Sequence, residues 1–352
     1  MSKKTNRRKQ AARAKRNSRI KAAVIVVIAV AAGFLIPINL KHKVGYDELM
    51  KHTAVEAVYS TNATTSVSIQ GDLQFTELSE SVKSDLNTLY THSGIKAEDG
   101  LDARIDLMSL SGNEWSGNYI HTKNVSNSVI TSSQDKVATI LSSMLGEDPD
   151  TSSEILIERD TKKAILRTDN GEWNDISSYI TEDDAKPLST GDLVPALNFI
   201  AETVGKKKAV TLQTESGYTT TFSFEINTEL LDKVPQEYRD MAAKDFTSWE
   251  NITSAVQILE SNPGYHFPVN VTICFTGDGQ YRITQIAISG DLSMEYQKTY
   301  EEILAMLSDK QEVLNNLPAD YRFGVGGNIE ISFDYRCDIG YDPNIQISID
   351  NT

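Results

Sequence analysis

Ser133 and Lys136 stand in the S-x-x-K spacing that serves serine acyl transfer, where the amine activates the hydroxyl. Thr168-Asp169-Asn170 resembles the S-D-N element that completes such a site, but no K-T-G follows on a strand. Each motif also has a structural explanation. Ser132 or Ser133 suits a helix N-cap, and Thr168-Asp169-Asn170-Gly171 suits a turn. Gly324-Val325-Gly326-Gly327 has the glycines of a phosphate loop. It precedes a strand, so the helix N-terminus that would hold a phosphate is missing, and a bulge or flexible turn is expected. His42, His52, His92, His121 and His266 have no zinc-site spacing. Glu147-Asp148-Pro149-Asp150 and Glu182-Asp183-Asp184 lack the calcium-loop pattern, and solvated loops are expected there. No catalytic residue, metal or cofactor is therefore assigned, and no ligand-binding residue is singled out.

Five further residues have chemistry without a motif. Cys274 and Cys337 fall in expected strands, where export would permit a disulfide. Their alternation opposes it: Cys337 shares parity with Ile331, Phe333 and Tyr335, whereas Cys274 stands opposite Ile273 and Phe275. Trp115, Trp173 and Trp249 could stack on a ligand, but Trp249 has helical spacing with Ile252 and reads as core. Trp173 follows a turn and reads as core or as the side of a groove.

The elements that must carry these residues are mostly strands. Val67, Ile69, Leu73 and Phe75 alternate with polar residues, as do Leu101, Ala103, Ile105 and Leu107. The pattern repeats at Val269, Val271, Ile273 and Phe275, at Ile329, Ile331, Phe333 and Tyr335, and at Ile345, Ile347 and Ile349. Period two with one wetted face indicates antiparallel sheet. Asp160-Thr161-Lys162, Ser216-Gly217 and Gly277-Asp278-Gly279 read as hairpin turns, and 338–343 as the last one. Helical spacing appears at Val137, Ile140, Leu141 and Met144, at Leu193, Leu197, Ile200 and Val204, over 235–260, and from Tyr300 to Leu317. A weaker helix falls near 78–91. Hairpins interrupted by single helices predict an α+β fold, a large curved antiparallel sheet packed against several amphipathic helices. A soft internal boundary is expected at 181–191, with the two sides as related half-units.

The chain has 352 residues and a formal net charge of −15. Ten Lys and Arg and no acid occupy residues 1–21, so the remainder stands at −25. Residues 22–40 carry no charge and would rise roughly 28 Å as a helix, about one hydrocarbon thickness. The charge bias reads as a basic cytoplasmic tail at 1–21 and a transmembrane signal anchor at 22–40. A juxtamembrane segment at 41–62 and an extracytoplasmic domain at 63–352 follow. A cleaved signal peptide ending at Ala29-Val30-Ala31 is the alternative. The basic tail is taken as an orientation signal, so no nucleic-acid partner is expected. Four N-x-S/T sequons match chance for this composition.

The strand pair SEILIERDTKKAILRTDNGEWNDIS has a distinctive cadence, as do VTLQTESGYTTTFSFEIN and YHFPVNVTICFTGDGQYRITQIAIS. This cadence resembles the LolA/LppX-like extracytoplasmic lipoprotein-carrier superfamily, over about 60–345. The resemblance implies an unclosed sheet, a half-barrel, that wraps helices and leaves an apolar cavity for acyl chains. It transfers no particular contact residue. A membrane tether departs from the family, because it conflicts with shuttling lipid. The expected function is a non-catalytic binding protein of a bacterial cell envelope, anchored in the plasma membrane and holding an apolar or lipid ligand or an envelope protein partner. The alternatives are a structural or sensory ectodomain and, third, an envelope hydrolase or transferase.

Overall fold

The structure is a computed structural model and describes residues 45–345 and 347, except 54, 95, 97–99, 146–150, 187, 205–208, 237–238, 241–247 and 303–317. The basic tail at 1–21 and the apolar stretch at 22–40 therefore lie outside the described residues, as does most of the helix expected from Tyr300 to Leu317. Among the described residues no helix is long and apolar enough to cross a membrane.

Eleven strands form one open antiparallel sheet in the order β6-β5-β4-β3-β2-β1-β11-β10-β9-β8-β7. The first six are β1 (Ser60–Thr76), β2 (Leu101–Ser116), β3 (Tyr119–Thr131), β4 (Thr151–Glu158), β5 (Lys163–Thr168) and β6 (Asn174–Asp175). They make one meander from the middle of the sheet to an edge. The chain then crosses to the opposite edge and returns through β7 (Val210–Gln213), β8 (Gly217–Glu225), β9 (Pro268–Thr276), β10 (Ile283–Lys298) and β11 (Gly324–Gly340). β11 closes the sheet on β1, in register from Ser60↔Gly340 to Thr76↔Gly324. Both outer edges are short strands, which limits edge-to-edge pairing with other chains.

The α-helices with bounds among the described residues are α1 (Tyr46–His52), α2 (Glu80–Ser93), α3 (Asp135–Leu145), α4 (Thr190–Val204), α5 (Thr228–Leu231) and α6 (Trp249–Glu260). The main core lies between β8–β10 and helices α1, α4 and α5. Phe222, Val269, Val271 and Ile273 meet Leu49, Leu197, Ile200 and Leu230 there, and α6 packs against it through Trp249, Ile252 and Val256. Tyr46 sets its ring edge-on to Phe222 at 5.0 Å, and its hydroxyl donates to the Leu197 carbonyl at 3.0 Å. Burial pushes that hydroxyl's pKa well above its ordinary value. A smaller core holds Ile120, Ile157, Ala164 and Ala185.

The structure corrects four expectations. Residues 45–62 belong to the folded body rather than to a juxtamembrane segment, since α1 buries Tyr46 and Leu49 and β1 begins at Ser60. Two buried positions in a two-turn helix are too few to show periodicity. Gly324–Gly327 is neither bulge nor turn but the start of β11, paired with both β1 and β10. A Cβ at Gly327 would fall 1.8 Å from the Asp72 carbonyl oxygen, so close strand approach accounts for glycine there. The last turn starts after Gly340, and Ile345 and Ile347 are not in a strand. Residues 181–191 do not divide the molecule: Ala185 and Thr190 are buried, and the sheet runs unbroken through both halves. The stretch lies where the chain crosses between edges, which explains its turn-rich composition.

Candidate functional site

The structure places the sequence candidates apart and gives each a local partner. Ser133 donates through its hydroxyl to Asp102 Oδ1, and its N–H donates to Oδ2 at 2.9 Å. These two bonds hold the Asp102 carboxyl below the usual carboxylate range. Ser132, rather than Ser133, accepts from the N–H of Gln134 ahead of α3. Asp169 and Asn170 both take positive φ in a turn closed by Gly171 N–H to Thr168 O, as expected. His52 pairs with Glu48, and His266 with Glu225. The clearest charged cluster runs across four strands. His121 lies 3.6 Å from Glu114 and 3.8 Å from Glu154, Arg167 meets Glu154 at 2.6 Å, and Arg167 covers the Trp173 ring at 4.7 Å. Among the described residues no three His, Cys, Asp or Glu side chains come together as metal ligands. Glu182 pairs with Lys162, and residues 147–150 lie outside the described residues.

Both cysteines are free. Cys337 stands in the row of Ile286 and Ile273, facing the core, and burial raises its thiol pKa. Cys274 stands one residue on, beside Thr219 and Gln285 on the other face. The parity argument against a disulfide therefore agrees with the geometry.

Functional candidates emerge from the sheet surface instead. One lateral row on the helix-bearing face runs Val269–Gly290–Phe333–Val67–Leu107 across five strands. Val269 is fully buried at its start, and Leu107 is 42% exposed at its end. The same alternation that seals β8–β10 thus leaves β1–β3 partly open. Along the strands this open part is graded. At the Thr61 end, side chains bond across strands: Asn113 Nδ2 to Thr61 Oγ1 at 3.1 Å, Thr122 Oγ1 to Asn113 Oδ1 at 2.9 Å, and Ser111 Oγ to Asn124 Oδ1 at 2.7 Å. Six to eight residues further along β1, past the Thr65–Ser109–Ser126 row, the same face carries Val67, Ile69, Ile105, Leu107 and Ile130. A polar ladder therefore adjoins an apolar strip.

The opposite face of the same strands carries a second apolar patch. Leu110 pairs directly with Val125, and Met108 and Val129 share their face, all more than 40% exposed. β2 thus presents apolar side chains on both faces, with Leu107 on one and Met108 on the other. Parity in LDARIDLMSLSG marks this switch, but burial depends on what covers each face. A third feature is a shallow polar depression of about 330 Å³ at the β7–β8 and β9–β10 turns, lined by Thr214, Ser216, Thr276 and Asp278 among others.

No protein-family model matches the chain, and no curated protein matches it. Among solved structures, the secretin InvG of the Salmonella SPI-1 type III secretion injectisome aligns at 10% identity and a TM-score of 0.13. That alignment covers 85% of this chain and 69% of that one, and likeness at this level carries no argument.

Proposed function

We propose that this chain is a single-pass, membrane-anchored extracytoplasmic binding protein of a bacterial envelope, non-catalytic, which holds an amphiphilic lipid-like ligand on the helix-bearing face of β1–β3. In this reading the open sheet is the wall of a half-barrel and the charge-free stretch at 22–40 is the anchor. The observation that carries it is the lateral row from buried Val269 to half-exposed Leu107. A stripe of Val, Ile and Leu left partly uncovered favours an apolar occupant, since each buried methylene contributes about 0.8 kcal/mol. The adjoining Thr65–Ser109–Ser126 row supplies hydroxyls for a head group.

The test starts from the full chain in membranes, with a protease site placed between residues 44 and 45. Cleavage releases the body without detergent for native mass spectrometry. An adduct of lipid mass that is lost on organic extraction is expected. A clean protein mass, with no uptake on adding membrane lipid, refutes the carrier reading.

A second reading has its own observation. Met108, Leu110, Val125 and Val129 form an exposed apolar patch on the face away from the main core, which suits an envelope protein partner. A scaffold reading would keep this patch essential even if no lipid were found.

A further inference from the structure

Residues 41–44 separate the apolar stretch from Gly45, which caps α1. Extended, the chain from Leu40 to Gly45 reaches at most roughly 17 Å. About 6 Å of that lies within the headgroup layer. Gly45 then stands within roughly 10 Å of the lipid surface. The body cannot lengthen this tether cheaply, because unwinding α1 would expose Leu49 and Tyr46 and break the bond from Tyr46 to the Leu197 carbonyl.

We infer that the outer side of α1 and Val55 rest on the headgroups of the bilayer that holds the chain. This rests on the anchored reading above. Two observations at this surface fit lipid as the occupant. Val55 is 71% exposed, beside Gly191 at the start of α4. The chain beyond residue 21 is strongly acidic and is repelled by anionic headgroups, yet residues 41–56 hold three Lys against three acids. Lys51 stands exposed in the last turn of α1. α1 packs on the helix-bearing face. The half-covered strip of β1–β3 therefore belongs to the face turned toward the bilayer, where a lipid could reach it without crossing water.

The test uses the full chain in phosphatidylcholine–phosphatidylglycerol vesicles containing a headgroup-spin-labelled lipid. A fluorophore is attached at V55C or, on the opposite face, at V125C, in a C274A/C337A background. Loss of most emission at position 55 with little loss at 125 is expected. A Gly/Ser insert of about 20 residues after Val44, with a coil span of roughly 25 Å, should restore the emission. In the unsubstituted chain, Lys51 should be protected from an impermeant amine reagent in vesicles and reactive in detergent, which covers failure of the cysteine-free background to fold. Equal quenching at 55 and 125, or Lys51 equally reactive in both settings, overturns the contact. Changes at 55 that follow the protein-to-lipid ratio without quencher would assign the surface to a second copy instead. Release of the chain by alkaline wash would overturn the anchored reading itself, a result separable from a membrane-bound chain without quenching.

Discussion

Leu107 and Ile273 sit on the same face of the same sheet, and truncating each to Ala should cost very different amounts. Both changes remove three carbons. Ile273 is fully buried in a row packed on both sides by Thr220 and Ile286, so its loss combines transfer and cavity terms at about 2–5 kcal/mol. Leu107 is 42% exposed, so a little over half of about 2.4 kcal/mol is lost, and an open site leaves no sealed cavity. The expected cost is about 1.4 kcal/mol, roughly two-fifths of the midpoint of the range for Ile273. Guanidinium unfolding of the protease-released body, followed by far-UV circular dichroism, measures both. The midpoint should move with the slope unchanged, because neither variant alters the surface exposed on unfolding by much. A Leu107→Ala cost of 3 kcal/mol or more, measured on the scale set by full burial of a leucine, would show that Leu107 is covered. The strip would then be ordinary core, and the ligand reading would lose the observation that carries it.

Leu107→Asp should leave the body folded and abolish lipid adducts in native mass spectrometry, whereas Leu110→Asp on the other face should leave them intact. Gly290→Ala would set a Cβ 2.5 Å from Phe333 Cε1 and 2.9 Å from Val269 Cγ2, so a loss of about 1–3 kcal/mol is expected in thermal unfolding. The Asp102 carboxyl is lowered below its unfolded value by Ser133, so its contribution is present above the unfolded pKa and lost as pH falls through the folded one. Ser133→Ala should therefore destabilise at pH 7 by at most about 1 kcal/mol after solvent screening, and the difference from the parent should shrink below about pH 4. Thiol titration of the unfolded chain after mild oxidation should still find both cysteines, and Cys337 should react slowly in the folded state because burial raises its thiol pKa. An oxidised product with altered gel mobility would refute the strand parity.

Strand positions were legible because alternation is a local property. Val67 to Phe75, Leu101 to Leu107 and Val269 to Phe275 each fall within an observed strand on the expected parity. The turns at Asp160 to Lys162, Ser216-Gly217 and Gly277 to Gly279 join strands as read, since Gly and Asp carry the required backbone locally. Helices were legible where four apolar residues repeat, as in Leu193 to Val204, and illegible in α1, where Tyr46 and Leu49 are the only buried pair. Gly324 to Gly327 misled because glycine weakens a strand on average, while here Asp72 approaches too closely for any side chain at position 327. Strand order was not legible, because nothing local says that the last strand returns to pair with the first.

That pairing is what creates the candidate site. β11 joins two meanders into one surface, yet their helix-facing residues differ. β8–β10 present Phe222, Phe224, Val269, Val271, Ile273, Ile286 and Ile288, a surface unstable in water without helices upon it. β1–β3 alternate the same parity with Thr65, Ser109, Ser111, Asn113 and Ser126, half-buried polar residues that can bond one another or water. Burial was thus demanded of one half of the sheet and optional for the other. The apolar cluster of Val67, Ile69, Ile105, Leu107 and Ile130 sits at the far end of the optional half, where hydroxyls no longer relieve it. Its exposure is therefore a local exception within a polar wing, and a ligand that covers it would extend the core across β11 into β1–β3 without any change in the sheet.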